Sequence, residues 1–343
     1  MDDIRRELRS QWTKTRMHNG AALVAASLAA GCVFSLSPAH AAEGGFPQRP
    51  IRVIIVSPPG GSPDILTRIV AQKLTEQIGQ QVIVDNRSGA GGIIGTEIAA
   101  RATPDGYTLV VGFIGSLAVS PSLHAKLTYD PIKDFQPITL FSKLPNMLAV
   151  TPSLPVTSVK QLLDLARAQP GALNYASAGN GSAAHLSVEY FKALTKIDIR
   201  HVPYRGTGPA LVGLIAGEVV LTITGVPPLM PHIKSGKLRA LGVSTTGRIP
   251  QLPEVPTLIE AGVPGYEVVQ WYGLLAPAGT PAPIVARLHS EVVKVLQWPE
   301  IRDRFSAEGA VPVGSTPAEF HAFIKSEIAR WRPVVQAFGD RLN

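Results

Sequence analysis

The sequence IRVIIVSPPGGSPDILTRIV, residues 51–70, joins an apolar strand to a helix through a turn of proline and glycine. The run Ile51–Val56 predicts a buried strand, and apolar residues at every fourth position predict a helix over Pro63–Ile78. Ser62 is a favourable N-cap, and Pro63 is a favourable first helical residue. A strand, a glycine turn and a helix N-terminus present backbone N–H groups to an anion, so this stretch predicts an α/β fold with a ligand loop.

The turn within this stretch, Ser57–Asp64, is a candidate ligand loop but not a phosphate loop, because the lysine and the spacing of a Walker motif are missing. Its candidate ligand-binding residues are Pro59, Gly60, Gly61, Ser62 and Asp64. We expect Asp64, at the helix start, to occupy some of the free N–H groups itself. The loop is then suited to waters and a partly screened carboxylate, and a well-capped helix without a ligand is the alternative.

Strand-like and helical segments alternate along the rest of the chain, which predicts an α/β fold with mixed, mostly parallel sheets covered by helices. The pattern changes near residues 135–150, where two short strands, ITLF and MLAV, flank SKLPN. A second α/β unit follows, with a helix predicted at PTLIEAG, and the C-terminus is helical. We therefore predict a discontinuous domain 1, residues 46–145 plus 270–343, and an inserted domain 2, residues 146–269. Ligands of such folds bind at the carboxyl ends of strands and between domains.

The first residues, 1–41, are predicted to be a signal peptide for export to the periplasm. A basic segment precedes an apolar run from Ala21 to Leu36 and the cleavage motif Ala39-His40-Ala41. The apolar run is shorter than the roughly 20 residues of a membrane span. A lipid anchor on Cys32, the only cysteine, is the alternative, and cleavage after residue 41 leaves a mature chain without thiols or disulfides.

The composition of the 343 residues argues against several classes of partner. The net charge is +7, but five of the basic residues lie within residues 1–41 and the others are scattered, so we predict no nucleic-acid partner. The eight histidines have no metal-ligand spacing. The stretch SGAGGIIG has the glycine spacing G-x-G-x-x-x-G, which does not match a dinucleotide fingerprint. We therefore predict no metal and no cofactor.

A second glycine-rich turn, SAGNGSAAH at Ser177–His185, lies between a strand and an amphipathic helix. Gly179 and Gly181 keep the backbone open, and Ser182 as N-cap puts His185 in the first helical turn. The partial positive charge of the helix end disfavours imidazolium, so we expect His185 to be a neutral donor. The turn predicts a carboxylate clasp of backbone N–H groups, two hydroxyls and one imidazole. A capped helix with a packed histidine is the alternative.

Ser182 and His185 also raise the alternative of a secreted serine hydrolase. However, the G-x-S-x-G elbow is missing and no acid is placed to orient His185. The loops are rich in neutral hydrogen-bond donors and lack paired carboxylates, which favours a reversible binder and not an enzyme. A receptor that senses the same ligand for a signalling partner is a further alternative that the sequence does not separate from transport.

Several motifs occur in the order found in one receptor family. They are PIRVIIVSPPGGSPDILTRIV, VIVDNRSGAGGIIGTEIAA, PDGYTLVVG, YDPIKDFQPITL, LNYASAGNGSAAHLSVEYFK, HVPYRGTGPAL, PHIKSGKLRALGVST and WYGLLAPAGTP. Through them the chain resembles the substrate-binding proteins of tripartite tricarboxylate transporters, the Bug receptors. The resemblance implies a two-domain periplasmic-binding-protein fold of the Venus flytrap, type II-like kind. It also implies a small carboxylate ligand and membrane transporter subunits as partners, and we expect a monomer.

The resemblance assigns roles to individual residues. The loop Ser57–Asp64 would meet one ligand carboxylate through waters, and the loop Ser177–His185 would hold a carboxylate directly. Ser116 would add a polar contact. Tyr204-Arg205-Gly206 and the strand end Thr224-Gly225 would line the second domain's side of the cleft. These assignments are what the resemblance implies for this sequence.

The chain departs from the family pattern at one place. Many relatives have Phe-Asp-Asn where this chain has Ile223-Thr224-Gly225. Thr224 offers no charge to an ammonium group. We therefore expect a plain mono- or dicarboxylate, aliphatic or aromatic, and not an amino acid.

Overall fold

The computed structural model describes residues 45–342, in which strands and helices alternate. The predicted signal peptide, residues 1–41, and Cys32 lie outside the described residues. None of the described helices is long and apolar enough to cross a membrane. Contacts group Pro47–Asn343 into one unit, and the predicted boundaries of domains 1 and 2 stay predictions.

Three parallel strands form the first part of the sheet. The strand β1 (Ile51–Ile55) lies between β2 (Val82–Asn86) and β3 (Thr108–Phe113) and is almost entirely buried, as its apolar run predicts. The helix α1 (Ser62–Ile78) joins β1 to β2 and ends at Gly79, whose φ of +69° favours glycine. The strand, turn and helix predicted from the opening stretch are confirmed.

The cap of α1 differs from the prediction. The N-cap is Gly61 and not Ser62, so the helix begins one residue earlier than Pro63. No side chain caps this helix, so the Ser62 hydroxyl does not have the predicted role.

The strand β4 (Phe135–Val150) runs without interruption, so the prediction of two strands around SKLPN is wrong. Lys143, Leu144 and Pro145 stay extended because they pair with the antiparallel strand β9 (Val269–Pro277). The middle of β4 also pairs with β10 (Val311–Pro312), and its last part pairs with β7 (Leu221–Gly225) and β8 (Arg239–Val243). One strand therefore belongs to both parts of the sheet.

The second part of the sheet repeats parallel pairing. The strand β5 (Asn174–Ser177) is parallel to β6 (Arg200–Pro203) and, at Tyr175, to β7. The strand order is β2-β1-β3-β9-β4-β7-β5-β6, with β8 and β10 attached to β4. Parallel pairs thus occupy both ends and antiparallel pairs surround β4, which is a mixed α/β sheet as predicted.

Helices pack on this sheet. After α1 they are α2 (Ile93–Ala100), α3 (Ser120–Leu123), α4 (Val159–Ala168), α5 (Ala183–Thr195), α6 (Thr207–Ala216), α7 (Val226–Lys234), α8 (Ala282–Gln297), α9 (Pro299–Ala307) and α10 (Pro317–Leu342). The helix α7 was not predicted from the sequence VPPLMPHIK, although its prolines suit a helix start. It packs with α6 in a core that includes Leu214, Leu229 and Met230.

The helix predicted at PTLIEAG does not form. Thr257 instead makes a parallel bridge to Val243 of β8. The Thr257 N–H donates to Glu260 Oε2 at 2.8 Å, and the Glu260 N–H donates to Thr257 Oγ1 at 3.0 Å. These reciprocal bonds close a single turn, and Gly262, with φ of +96°, ends it before a helix can propagate.

Candidate ligand-binding cleft

A cavity of about 420 Å³ lies where the carboxyl ends of the parallel strands meet. Its walls are Val56–Pro58 after β1, Ser88–Gly92 after β2, Phe113 of β3, Ala178–Asn180 and Ser182 after β5, and Arg205 after β6. Arg205 is the one charged side chain in this lining, and within the described part of the chain it has no ion-pair or hydrogen-bond partner. The side chains of the lining therefore carry one formal positive charge and no negative one.

Turns from the two parts of the sheet touch beside this cavity. Gly206 has φ of +124°, and a Cβ there would lie 2.7 Å from Pro58 Cβ. Gly91 has φ of +65°, and a Cβ there would lie 3.4 Å from the carbonyl oxygen of Gly181. These two close approaches explain why the sequence places glycine in both turns.

Asp64 organises the first predicted loop. Its carboxylate accepts the Gly60 N–H at 2.9 Å, the Arg68 Nε at 2.9 Å and the Asn86 Nδ2 at 3.1 Å. Only 5% of Asp64 is exposed. The expectation that Asp64 takes an N–H group of its own loop is confirmed. Pro59, Gly60 and Gly61 are outside the cavity lining, so the loop reaches the cavity through its first residues.

Ser62, Thr224 and Gly225, which the sequence proposed as ligand contacts, lie outside the lining of the cavity. Ser62 is buried, and a Cβ on Gly225 would clash with Ser62 Oγ. Thr224 is buried in β7, where it pairs with Met147 of β4. The structure thus brings Ser62 and Gly225 together as a tight contact between α1 and the end of β7.

Ser116 and Tyr204 are also directed away from the cavity. Ser116 is buried in the π-helical turn after β3, where its hydroxyl makes long, 3.4 Å hydrogen bonds with the backbone of Phe113. The Tyr204 hydroxyl donates to Glu218 Oε2 at 3.1 Å, and its ring lies against Gly213. Neither side chain lines the cavity, and their roles as ligand contacts stay predictions.

The clasp loop has the predicted cap. Ser182 is the N-cap of α5, and its Oγ accepts the backbone N–H of His185 at 3.3 Å. The Gly181 N–H donates to His185 Nδ1 at 3.1 Å, and the Gly179 N–H donates to Ser177 Oγ at 3.1 Å. Gly179 and Ser182 line the cavity, whereas Ser177 and His185 hold the loop from behind. The N–H groups of Gly179 and Gly181, which we expected to bind a ligand, therefore bond to acceptors within the loop.

Two stacked imidazoles support the clasp loop. His185 and His201 lie with ring centroids 4.1 Å apart and an interplanar angle of 9°, and His201 Nε2 is 2.6 Å from Ser177 Oγ. Burial lowers the pKa of His185, and burial together with the neighbouring His185 lowers the pKa of His201 to about 4. Both rings are neutral at neutral pH, as expected for His185, and burial is the largest cause.

A compensated charge lies behind the imidazoles. Glu189 Oε1 accepts hydrogen bonds from Tyr175 Oη and Lys192 Nζ, each at 2.7 Å. Glu189 Oε2 and His185 Nε2 are buried without a hydrogen-bond partner among the described residues. Because Lys192 neutralises Glu189, the clasp loop rests on a layer with no net charge.

Sequence reasoning missed part of the lining. Ser88–Gly92 was considered only as a dinucleotide fingerprint, and its glycine content was the signal for another kind of ligand loop. Arg205 was expected to line the cleft, through the family resemblance, but was not named among the ligand-binding residues. His201 gave no local signal, because the residue that it stacks on is 16 positions away.

The geometry does not assemble a hydrolase. Ser182 Oγ bonds the backbone N–H of His185, and His185 Nδ1 accepts from Gly181, so the ring does not activate the hydroxyl. Within residues 45–342, no cluster of histidine, cysteine and acidic side chains could hold a metal ion.

The mixed sheet and the loops that meet at its strand ends define a solute-binding protein of the periplasmic class. The chain belongs to the tripartite tricarboxylate transporter receptor family, and the match to this family covers residues 66–340. The predicted resemblance to Bug receptors is confirmed. This is a family of receptors, so the prediction that the chain is not an enzyme is also confirmed.

Named relatives share nearly the full described length. Protein BugT of Bordetella pertussis is 39% identical over 299 residues, which are 87% of this chain and 92% of BugT. The structure of R. palustris Rpa4515 with adipate has a TM-score of 0.83 and 39% identity, covering 86% of this chain and 99% of that chain. MatC from Rhodopseudomonas palustris with bound malate has a TM-score of 0.80 and 35% identity, covering 84% of this chain and 100% of that chain.

Proposed function

We propose that this chain is a periplasmic receptor that captures a small organic carboxylate and delivers it to the membrane subunits of a tripartite tricarboxylate-type transporter. The family supports the transporter as partner. Adipate and malate in similar proteins support a small carboxylate ligand. The periplasmic location rests on the predicted signal peptide, residues 1–41.

The observation that carries the proposal is the chemistry of the cavity wall. Arg205, an exposed residue of the lining with no side-chain partner among the described residues, borders a space lined by glycine turns and hydroxyl groups, with no acidic side chain in the lining. Such a wall attracts an anion and repels no part of it. Micromolar affinity requires about −8 kcal/mol. Several charge-assisted hydrogen bonds of roughly 1.5–3 kcal/mol each supply this, after the costs of ordering.

We also propose how the predicted residues divide their work. Gly179 and Ser182 contact the ligand, because they line the cavity. Asp64, Ser177 and His185 shape the loops that carry those contacts. Closure of domain 1, residues 46–145 plus 270–343, on domain 2, residues 146–269, is the capture step. The paired strands β4 and β9, which contain the proposed boundaries between the two domains, support this choice of domains.

A thermal-shift comparison of carboxylates with their amides tests the function. A ligand that binds only the folded protein raises its melting temperature. We expect one or more of succinate, adipate, butyrate, hexanoate, terephthalate and 4-methylbenzoate to raise the melting temperature, with the corresponding amides inactive. Equal shifts from the amides, or no shift from any of these carboxylates, would contradict the proposal.

A further inference from the structure

We infer that the start of α1 is the surface on which the second part of the sheet closes, and that two glycines set how closely the two parts approach. This closure contact consists of Gly61, Ser62, Thr207 and Gly225, none of which lines the cavity. The inference rests on the proposed function, because it assigns these residues a role in the proposed closure.

Gly225, at the end of β7, is buried against the first turn of α1. Its φ of −56° and ψ of 146° are open to other residues, so its backbone conformation does not require glycine. A Cβ there would overlap Ser62 Oγ and would lie 3.2 Å from Ser62 Cβ and 3.2 Å from Leu144 Cδ1. The close approach of α1 therefore explains the glycine at this position.

Gly61, the N-cap of α1, forms the other half of the closure contact. Its φ of −81° and ψ of 164° are also open to other residues. A Cβ on Gly61 would lie 3.3 Å from Thr207 Oγ1, and that atom is nearer than any atom of its own loop. Thr207 is the first residue of α6, so this contact again crosses from the first part of the sheet to the second.

Added side chains in the closure contact would hold the two parts of the sheet apart. The cavity wall Val56–Pro58 follows β1 in the first part, and the wall Ala178–Asn180 follows β5 in the second. A receptor that reaches the closed form less often has a proportionally lower apparent affinity. The size of the residues at positions 61 and 225 therefore controls affinity without any contact to the ligand.

Calorimetry tests this control with whichever carboxylate of the thermal-shift series gives the largest shift. We expect Gly225→Ala to weaken binding about tenfold and Gly61→Ala to weaken it a few-fold. Gly208→Ala is the matched control, because Gly208 follows Thr207 directly and a Cβ there would meet no atom within 4 Å. Equal affinities in Gly225→Ala and Gly208→Ala would overturn the inference while leaving the proposed function intact.

A compensating substitution distinguishes the closure contact from a general loss of folding. Ser62→Ala removes the oxygen that a Cβ on Gly225 would overlap. We therefore expect the double variant Ser62→Ala/Gly225→Ala to bind the same carboxylate several-fold more tightly than Gly225→Ala alone. A double variant that binds no more tightly contradicts the inference.

A distance measurement without ligand separates the inference from the proposed function. Spin labels on cysteines at Glu76 of α1 and Val212 of α6, two exposed positions, report the separation of these helices in a Cys32→Ser background. Double electron–electron resonance should give a longer mean distance for Gly225→Ala than for Gly208→Ala. Equal distances overturn the inference whether or not a carboxylate binds. A longer distance without binding of any carboxylate counts against the proposed function alone.

Discussion

The two glycine loops at the cavity have the same local plan but are held by opposite chemistry. In Ser57–Asp64 a carboxylate accepts the loop's N–H and is balanced by Arg68. In Ser177–His185 neutral imidazoles and hydroxyls do the equivalent work. A strand, a glycine turn and a helix therefore do not by themselves define an anion site, because the side chain that fills the turn decides which N–H groups stay free.

The largest effect should come from removing the carboxylate of the first loop. Asp64→Ala leaves the Gly60 N–H without its acceptor and removes one of the two acceptors of Arg68 and of Asn86, and we expect a loss of roughly 2–3 kcal/mol in the free energy of unfolding. Urea unfolding measures it. Asp85→Ala, which removes a more exposed carboxylate that also pairs with arginine, is the control and should cost less. Equal losses in the two variants would contradict the role of Asp64 in holding the loop.

The imidazole stack should make the second loop sensitive to acid. The pKa of His201 is about 4, below its ordinary 6.5, so the unfolded chain binds the proton first. The stabilisation from neutral His201 is therefore complete above pH 6.5 and is lost as pH falls towards 4. The charged groups near the ring are Glu189 and Lys192, a mutually neutralising pair behind it.

The expected loss in the free energy of unfolding is about 2 kcal/mol, after allowance for the partial exposure of His201. His201→Gln places an uncharged amide where Nε2 meets Ser177 and should remove this part of the pH dependence. His232→Asn, in the last turn of α7, is the control and should keep it. Melting temperatures from pH 7.5 to 4.5 make the comparison. If the curves of wild type and His201→Gln run parallel, the stack has no role in the pH dependence.

A smaller effect should follow from the hydroxyl that joins the stack to the loop. Ser177→Ala removes the acceptor of the Gly179 N–H and the partner of His201 Nε2. We expect a loss of about 1 kcal/mol in stability and a few-fold loss in affinity for the carboxylate found by thermal shift. Ser158→Ala, at the N-cap of α4, should cost similar stability without changing affinity. If Ser177→Ala leaves the affinity unchanged, the Ser177 hydroxyl does not contribute to ligand binding.

Much of the fold was predictable because its signals are local. The buried strands β1 and β3 and the capped start of α5 follow from apolar runs and from Ser182. The strand β4 was divided in error because SKLPN has a turn composition. The pairing that keeps it extended comes from β9, more than a hundred residues away.

The candidate site was less predictable than the fold. Glycine turns mark where a ligand loop can be, and both turns that were proposed do reach the cavity. Which side chain faces the cavity depends on partners from other elements. Asn86 helps to turn Asp64 inward, and Glu218 turns Tyr204 outward. The role of His201 became visible only when β6 was placed beside β5.

The junction at Asn146 has a consequence for binding thermodynamics. Where β4 passes from β9 to β8, the Asn146 N–H donates to Ser244 Oγ at 2.7 Å, its Nδ2 donates to Ser187 Oγ at 3.0 Å, and its Oδ1 accepts from Gln270. These bonds hold the shared strand in place at Asn146. We therefore expect any relative motion of the two parts of the sheet to twist this strand. We therefore expect the chain to lose little conformational entropy at this point when a ligand is enclosed, so that less of the contact energy is spent on ordering it.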